Sequence, residues 1–422
     1  MGRGAGARAL VRASSERVAA GLGQMKGLAM KVGQYLSFAL PDLPPEVSEA
    51  LSVLQTSSAP RPFSEMAAVI EAELGRPVEA IFRELDPAPV AAASIGQVHR
   101  GRLPDGTEVA VKVQYPDVAA AVRADLANAG RLARCLRLLL PGLDAASVAA
   151  ELRERILEEL DYRAEARHQH SFAARFSGHP FVAIPEVFSS CSGARVLTSS
   201  WAPGRDFAAV RNDPEPVRAS LGEILLRFLL GCLLLDGAFV ADPHPGNYRF
   251  PSVPSTATAA DRITFLDFGC VKALSPPFRQ ALRGLFRAAL GSDRAALREA
   301  AERLGLIPPG AEAGPVLGGV AHLYVPFRRD VVEPFPPVLT TSALRGATGG
   351  GLAEVRRELR ISGEIPFVNR TVVGLYAVLG RLGASANWHR IAREYASGDP
   401  PSTPLGEAEW SWRRQRFPRS GT

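Results

Sequence analysis

Four short stretches of this chain carry side chains whose types and spacing suit the handling of a polyphosphate. Phosphoryl transfer needs cations against spread-out negative charge, a metal clamp, and a group that orients the attacking oxygen. In Val109-Ala110-Val111-Lys112-Val113 the valines flanking Lys112 alternate to the other face of a strand, which leaves the ammonium pointing into a cleft. Ala91-Ala92-Ala93-Ser94-Ile95-Gly96 lies where backbone amides and the Ser94 hydroxyl can donate to phosphate oxygens, although three Cβ atoms restrict a loop that glycines would leave open. Ala241-Asp242-Pro243-His244-Pro245-Gly246-Asn247 has the D-x-x-x-x-N spacing of a catalytic loop, with two prolines and a glycine enforcing a rigid, non-helical path. Ile263-Thr264-Phe265-Leu266-Asp267-Phe268-Gly269 is a β-rich run whose carboxylate emerges at the strand end. Asn247 and Asp267 are hard oxygen donors of the kind Mg²⁺ takes. A lone D-x4-N or a lone DFG occurs by chance; the two about twenty residues apart, after a buried apolar run, form a far more specific pattern.

The elements that must position these groups fall in a simple order. Residues 15–57 read as helices, broken at Pro41-Asp42-Leu43-Pro44-Pro45. Ser64 can cap a helix that Gly75 closes, and a short helix follows Pro77. Gln97–Leu103 and Thr107–Val113 alternate around a Pro-Asp-Gly turn, which predicts a hairpin. Helical pattern runs from Pro116 to about Phe176. The segment Ile224–Val240 is apolar, but Arg227 and Asp236 interrupt it and it is shorter than a membrane span, so it reads as a buried helix with a strand-like tail. Residues 251–260 read as an exposed hairpin loop. The fold class expected is α+β, two-lobed, with a helical block at 1–86, a hairpin lobe at 87–200, a helical lobe at 201–398 and a flexible basic, aromatic tail at 399–422.

Composition is that of an ordinary globular chain: 46% hydrophobic, 22% charged, net charge +6 over 422 residues. This excludes disordered and disulfide-stapled classes, and nucleic acid is not among the expected partners. Cys135, Cys191, Cys232 and Cys270 form no CxxC pair and no zinc spacing. Only four of the 49 Lys and Arg residues are lysines (Lys26, Lys31, Lys112, Lys272), so lysine is kept where a flat guanidinium would not serve.

Lys31-Val32-Gly33-Gln34 and Glu159-Leu160-Asp161 match the KxGQ and ExD motifs of a known family. With AAAS, ASIGQVHRG, VAVKVQYP, ADPHPGN and DFG, residues 15–290 resemble the UbiB/ABC1/COQ8 group of atypical protein-kinase-like proteins. The resemblance implies a bilobal kinase-like fold with the KxGQ extension packed over the active site. It implies Asp242 as the catalytic aspartate and Lys112 on the phosphates, paired with a helix glutamate for which Glu165 is the choice. Ala91, Ala92, Ala93, Ser94, Ile95 and Val98 line the nucleotide, Asn247 and Asp267 bind metal, and Lys31 and Gln34 meet Glu159 and Asp161. ATP and Mg²⁺ are the implied cofactors. The chain departs from the family pattern at Val240, where histidine is common, and at Ser200, usually acidic.

The function this implies is an ATP-dependent phosphotransferase or ATPase, supporting ubiquinone or other isoprenoid-lipid metabolism, with a lipid or quinone precursor as a further ligand. A small-molecule kinase of the aminoglycoside or choline type is the alternative, as is a non-catalytic nucleotide-sensing scaffold. Trp410, Trp412 and Phe417 interleaved with Arg413, Arg414, Arg416 and Arg419 fit either an interfacial membrane anchor or a disordered basic tail. The location expected is cytoplasmic, with peripheral contact at an inner membrane surface, ahead of mitochondrial.

Overall fold

Val109, Val111 and Val113 alternate along one strand, and all three are completely buried against a helix in the computed structural model of the chain. The structure describes residues 60–92, 95–127, 157, 160–252, 262–310, 314–336 and 364–417. The helices expected over 15–57, with Lys31 and Gln34, lie outside the described residues, as do Ala93, Ser94, Glu159 and most of the loop expected at 251–260. The chain divides into two compact units, one of Met1–His170 with Glu186–Trp201, the other of Ser171–Pro185 with Ala202–Thr422. The division is thus into two units, where the sequence reading drew four segments.

Unit 1 is built on an antiparallel sheet of β1 (Glu84–Ala92), β2 (Gly96–Arg102), β3 (Glu108–Gln114) and β5 (Val196–Ser200), in that order. The hairpin of β2 and β3 turns at Asp105-Gly106, where Gly106 takes a φ of 91° that favours glycine. β1 reaches into the stretch expected as a loop at Ala91 and Ala92. Pro87 and Pro89 remove two amides and side-chain alternation is absent, yet the backbone pairs with β2 through two register shifts. Helix α1 (Phe63–Leu74) lays Met66, Val69 and Ile70 onto the sheet, the spacing of one helical face. It starts one residue before Ser64, without a side-chain cap, and Gly75 closes it in the left-handed region. Two further helices, α2 (Val118–Ala127) and α3 (Tyr162–Arg175), follow; α3 passes from unit 1 into unit 2 at Ser171.

Unit 2 is organised by α4 (Glu215–Leu230), whose residues are buried continuously from Ser220 to Leu230. The helix widens into a π-turn over Gly231–Asp236, and Gly237 then leads into β6 (Ala238–Val240). The apolar run at 224–240 is therefore core. Among the described residues, no helix is long and apolar enough to cross a membrane. Short strands frame the next motifs: β7 (Tyr248–Arg249) pairs with β8 (Ile263–Phe265), β8 pairs in parallel with β4 (Val182–Ala183), and β6 pairs with β9 (Val271–Ala273). The chain continues through α5 (Pro276–Leu290), α6 (Arg294–Arg303), α7 (Gly314–Leu323), α8 (Ile365–Leu382) and α9 (Trp388–Ala396).

The tail expected to be flexible is instead helical over α10 (Pro404–Arg416). Thr403 caps it by accepting from Gly406 N at 3.1 Å, Pro404 occupies the first turn and Glu407 complements the dipole, a start signal masked by Pro- and Ser-rich composition. Trp412 is buried and stacks with Phe176, its indole N–H donating to Ser177 O at 3.1 Å. Arg413 is buried too and reaches Asp236 of the π-turn at 3.1 Å. Two residues of the supposed membrane anchor thus pack inside unit 2. Arg227 of α4, with no exposed surface, donates to Glu223 at 2.7 Å, to both Glu394 oxygens at 2.7 and 3.1 Å and to Thr403 at 2.9 Å.

His179 sits against Trp412, its Nδ1 accepting from Phe181 N and Val182 N at 3.3 and 3.1 Å. Burial, and then the charges of Arg413 and Arg262, push its pKa down to about 2. Between that value and the ordinary 6.5, the unfolded chain binds a proton that the native chain refuses, so stability falls as pH falls. Taking about 1.4 kcal/mol per pH unit, lowering pH from 7.5 to 5 should remove about 2 kcal/mol through this residue. In urea unfolding at both pH values, His179→Asn, which keeps an acceptor, should flatten the dependence by about that amount; an equal slope in both proteins would contradict it.

Candidate active site

Lys112 in β3 has Val98 of β2 and Leu197 of β5 as its cross-strand neighbours, so the three share one face of the sheet while the buried valines occupy the other. Its ammonium donates to both Glu165 oxygens, at 2.8 and 2.9 Å, and lies 4.9 Å from the centre of the Tyr162 ring. The Glu165 side chain is 7% exposed and that of Lys112 22%, so the pair is sheltered on one side and open on the other. Asp161 begins the helix that carries Glu165: its carboxylate accepts from Arg163 N at 3.0 Å and its carbonyl from Ala164 N at 3.0 Å. Gln114, two residues beyond Lys112, donates to Leu160 O at 3.0 Å and so fixes the start of α3 against the end of β3.

The alanine-rich stretch is less loop-like than its sequence. Ala91 and Ala92 are exposed strand residues opposite Val98 and Gln97. Ile95 is buried and its carbonyl accepts from Tyr115 N at 2.9 Å. Gly96 has a structural task, since a Cβ there would stand 2.2 Å from Val113 O. The glycine lets β2 and β3 approach, which the sequence pattern alone could not distinguish from a phosphate-binding role.

In unit 2 the two acidic motifs are cross-linked backbone to backbone. Ala241 N donates to Cys270 O at 2.7 Å, and Leu266 N donates to Asn247 O at 3.0 Å. These bonds tie the Asp242–Asn247 loop to the Leu266–Gly269 turn at both ends. The Asn247 amide donates to Asp242 O at 3.1 Å, His244 Nδ1 accepts from Gly246 N at 3.1 Å, and Asp267 Oδ1 accepts from Gly269 N at 2.9 Å. Asp242, Asn247 and Asp267 all line one cavity, together with Phe228, Phe239, Phe265 and Thr371. Phe268 is fully buried, its ring 5.2 Å from that of Phe172. Burial, and then the Asp242 charge, push the Tyr248 phenol well above its ordinary pKa, so it is neutral at all physiological pH. Arg370 of α8, which motif spacing did not mark, approaches Asp242 Oδ1 at 3.5 Å. It lies beyond residues 15–290, over which the sequence motifs fall.

The structure thus brings Lys112 to Glu165 within unit 1, and Asp242, Asn247 and Asp267 to one cavity within unit 2. Clustered carboxylate and amide oxygens around a rigid loop can take a hard cation, and a sheltered ammonium oriented by a carboxylate can take an anion.

Residues 53–301 match the model of the ABC1 atypical kinase-like domain. The atypical kinase COQ8, mitochondrial, of Saccharomyces cerevisiae is 29% identical over 386 residues, covering 90% of this chain and 75% of the relative. Activity of BC1 complex kinase 8, chloroplastic, of Arabidopsis thaliana is 33% identical over 287 residues, covering 66% of this chain and 37% of that protein. For AarF domain-containing protein kinase 1 of Xenopus laevis the identity is 31% over 286 residues, 66% of this chain and 54% of the relative. The chain therefore spans about half, or less, of several curated relatives. Among solved structures, the complex of Rv3197 with erythromycin from Mycobacterium tuberculosis superposes with a TM-score of 0.65 at 29% identity, covering 90% of this chain and 96% of that one.

Gly96→Ala tests the strand-crossing role. Forcing a Cβ onto the Val113 carbonyl should cost about 1–3 kcal/mol in thermal or urea unfolding. A variant as stable as the parent would return Gly96 to the loop.

Proposed function

The chain belongs to the ABC1 atypical kinase-like family, and on that premise we propose that it binds Mg-ATP and transfers or hydrolyses its terminal phosphoryl group. The observation that carries the reading is the common cavity of Asp242, Asn247 and Asp267, held by the two backbone cross-links. The donor set fits the metal: Mg²⁺ is characteristically held by one or two carboxylates plus substrate phosphates and waters rather than by a full protein cage. Asp267 supplies the carboxylate. Asn247, whose Nδ2 is engaged with Asp242 O, presents Oδ1. When bound, the ion would neutralise phosphate charge.

The remaining roles belong to the chain itself. Lys112, steadied by Glu165, would engage the α- and β-phosphates, and Val98 and Leu197 beside it offer an apolar surface to the nucleotide. Asp242 would orient the acceptor oxygen and receive its proton. Support for ubiquinone or other isoprenoid-lipid metabolism as the cellular role comes from the family resemblance alone.

Purified protein should hydrolyse ATP, or transfer its γ-phosphate to an added phenolic quinone precursor, in a manner abolished by EDTA and restored by Mg²⁺. Asp242→Asn should lower turnover about 10²–10⁴-fold while Mg-ADP still binds. Nucleotide binding without turnover in the parent would favour a sensing scaffold, and no nucleotide binding at all would end the proposal.

A further inference from the structure

The pair formed by Lys112 and Glu165 depends on where α3 begins, because Glu165 stands in the first turn of that helix. Whatever fixes this turn against β3 therefore fixes the carboxylate. The turn starts at Tyr162, whose backbone N–H donates to Ala194 O at 2.9 Å. Gln114 of β3, with no exposed surface, donates from its amide nitrogen to the same carbonyl at 3.3 Å and to Leu160 O at 3.0 Å. Ala194 is thus a joint between the strand that bears Lys112 and the helix that bears Glu165, although it belongs to neither.

The other side of the joint is held by Glu73 of α1, a residue that no motif marks. It follows Val69 and Ile70 by four and three positions, so a carboxylate stands on the helix face that packs onto the sheet. That carboxylate accepts from Ala194 N at 2.6 Å and from Arg195 Nε at 3.0 Å, and lies 3.7 Å from the Arg163 guanidinium of α3. The Glu73 side chain is only 10% exposed. Burial works against its charge, but the Arg195 donor, the Ala194 amide and the charges of Arg195 and Arg163 outweigh it and hold the carboxyl below its ordinary range. Gly193 makes room for the arrangement, since a Cβ there would stand 2.7 Å from Glu73 Cγ. For stability alone an apolar side chain on this face would serve as well as a buried ion pair. What the carboxylate adds is direction, because it accepts where the Ala194 amide and the Arg195 guanidinium converge.

Resting on the Mg-ATP reading above, we propose that Glu73 is a positioning residue for that reaction: it holds residues 193–195 where the first turn of α3 attaches, and so sets how closely Glu165 approaches Lys112. Glu73 meets no phosphate and moves no proton. It acts through Ala194, Tyr162 and Glu165. A displacement of about 1 Å in a group that engages the substrate can cost about 10²-fold in rate, so a joint of this kind bears on turnover from a distance.

Two readouts on the full chain test this with Glu73→Ala and Glu73→Gln, the second of which keeps an oxygen for the Ala194 amide. The first readout is acylation of lysines by N-hydroxysuccinimidyl acetate at one fixed pH and without nucleotide, followed by mass spectrometry. The chain has only four lysines, so Lys112 and Lys272 can be followed separately. In Glu73→Ala, Lys112 should be acylated about threefold faster or more, because an ammonium whose carboxylate partner retreats gives up its proton more readily. Lys272, in unit 2, should react at the parent rate. The second readout is turnover: kcat/KM for Mg-ATP should fall about 10–10²-fold in Glu73→Ala. Glu73→Gln should recover part of both changes. A folded Glu73→Ala whose Lys112 reacts at the parent rate overturns the inference, whatever its turnover, and so does a Gln variant no better than Ala. If Glu73→Ala does not melt cooperatively, Glu73→Gln decides: faster acylation of Lys112 supports the inference and a parent rate overturns it. A parent that binds no nucleotide removes the Mg-ATP reading, while the acylation rates still judge the hold of Glu73 on the Lys112–Glu165 pair.

Discussion

A guanidinium with no exposed surface sits at the centre of unit 2, and the arrangement of that unit depends on its remaining satisfied. Arg227 comes from the middle of α4, Glu394 from α9, and Thr403 from the cap of α10. A buried charge left without a partner costs several kcal/mol, so the three helices are constrained to meet wherever Arg227 lies. That requirement accounts for α9 and the start of α10 meeting α4 at this point. Arg413 extends the same set of contacts to Asp236 in the π-turn. The helix and turn so braced contribute Phe228 and Cys232 to the cavity that Asp242 lines. Core electrostatics and site geometry are therefore one problem in this unit.

The two half-sites are made rigid by different means. In unit 1 a strand and a helix are fixed by side chains: Glu165 on Lys112, and Gln114 on the carbonyl that precedes Asp161. In unit 2 the fixing is done by backbone, through Ala241 with Cys270 and Leu266 with Asn247, with prolines limiting what the loop between can do. Backbone cross-links tolerate side-chain change, because the groups they join are present whatever the side chain.

Much of this was legible in the residues. The hairpin, the interrupted apolar helix with its strand tail, and the motif strands followed from alternation, turn chemistry and run length. What escaped notice has physical causes. β1 is a strand by backbone pairing, and its prolines and exposed side chains carry no pattern for a reader of side chains. α10 hides behind Pro- and Ser-rich composition, although Thr403, Pro404 and Glu407 spell a helix start. Arg370 is invisible because its partner is 128 residues away and proximity of that kind is a property of the fold. Glu165 sits at the other extreme: one helix with several acids offered candidates, and the geometry pairs this one with Lys112 at 2.8 Å.

The irregularity of β1 has a consequence beyond the site. Among the described strands it forms an outer margin of the four-stranded sheet, and a margin of unpaired amides is a template on which another extended chain can add. Pro87 and Pro89 remove two amides from this strand, and the two register shifts interrupt the flat ladder that stacking requires. With Glu84 and Asp86 also exposed along it, this margin is a poor template for an added strand.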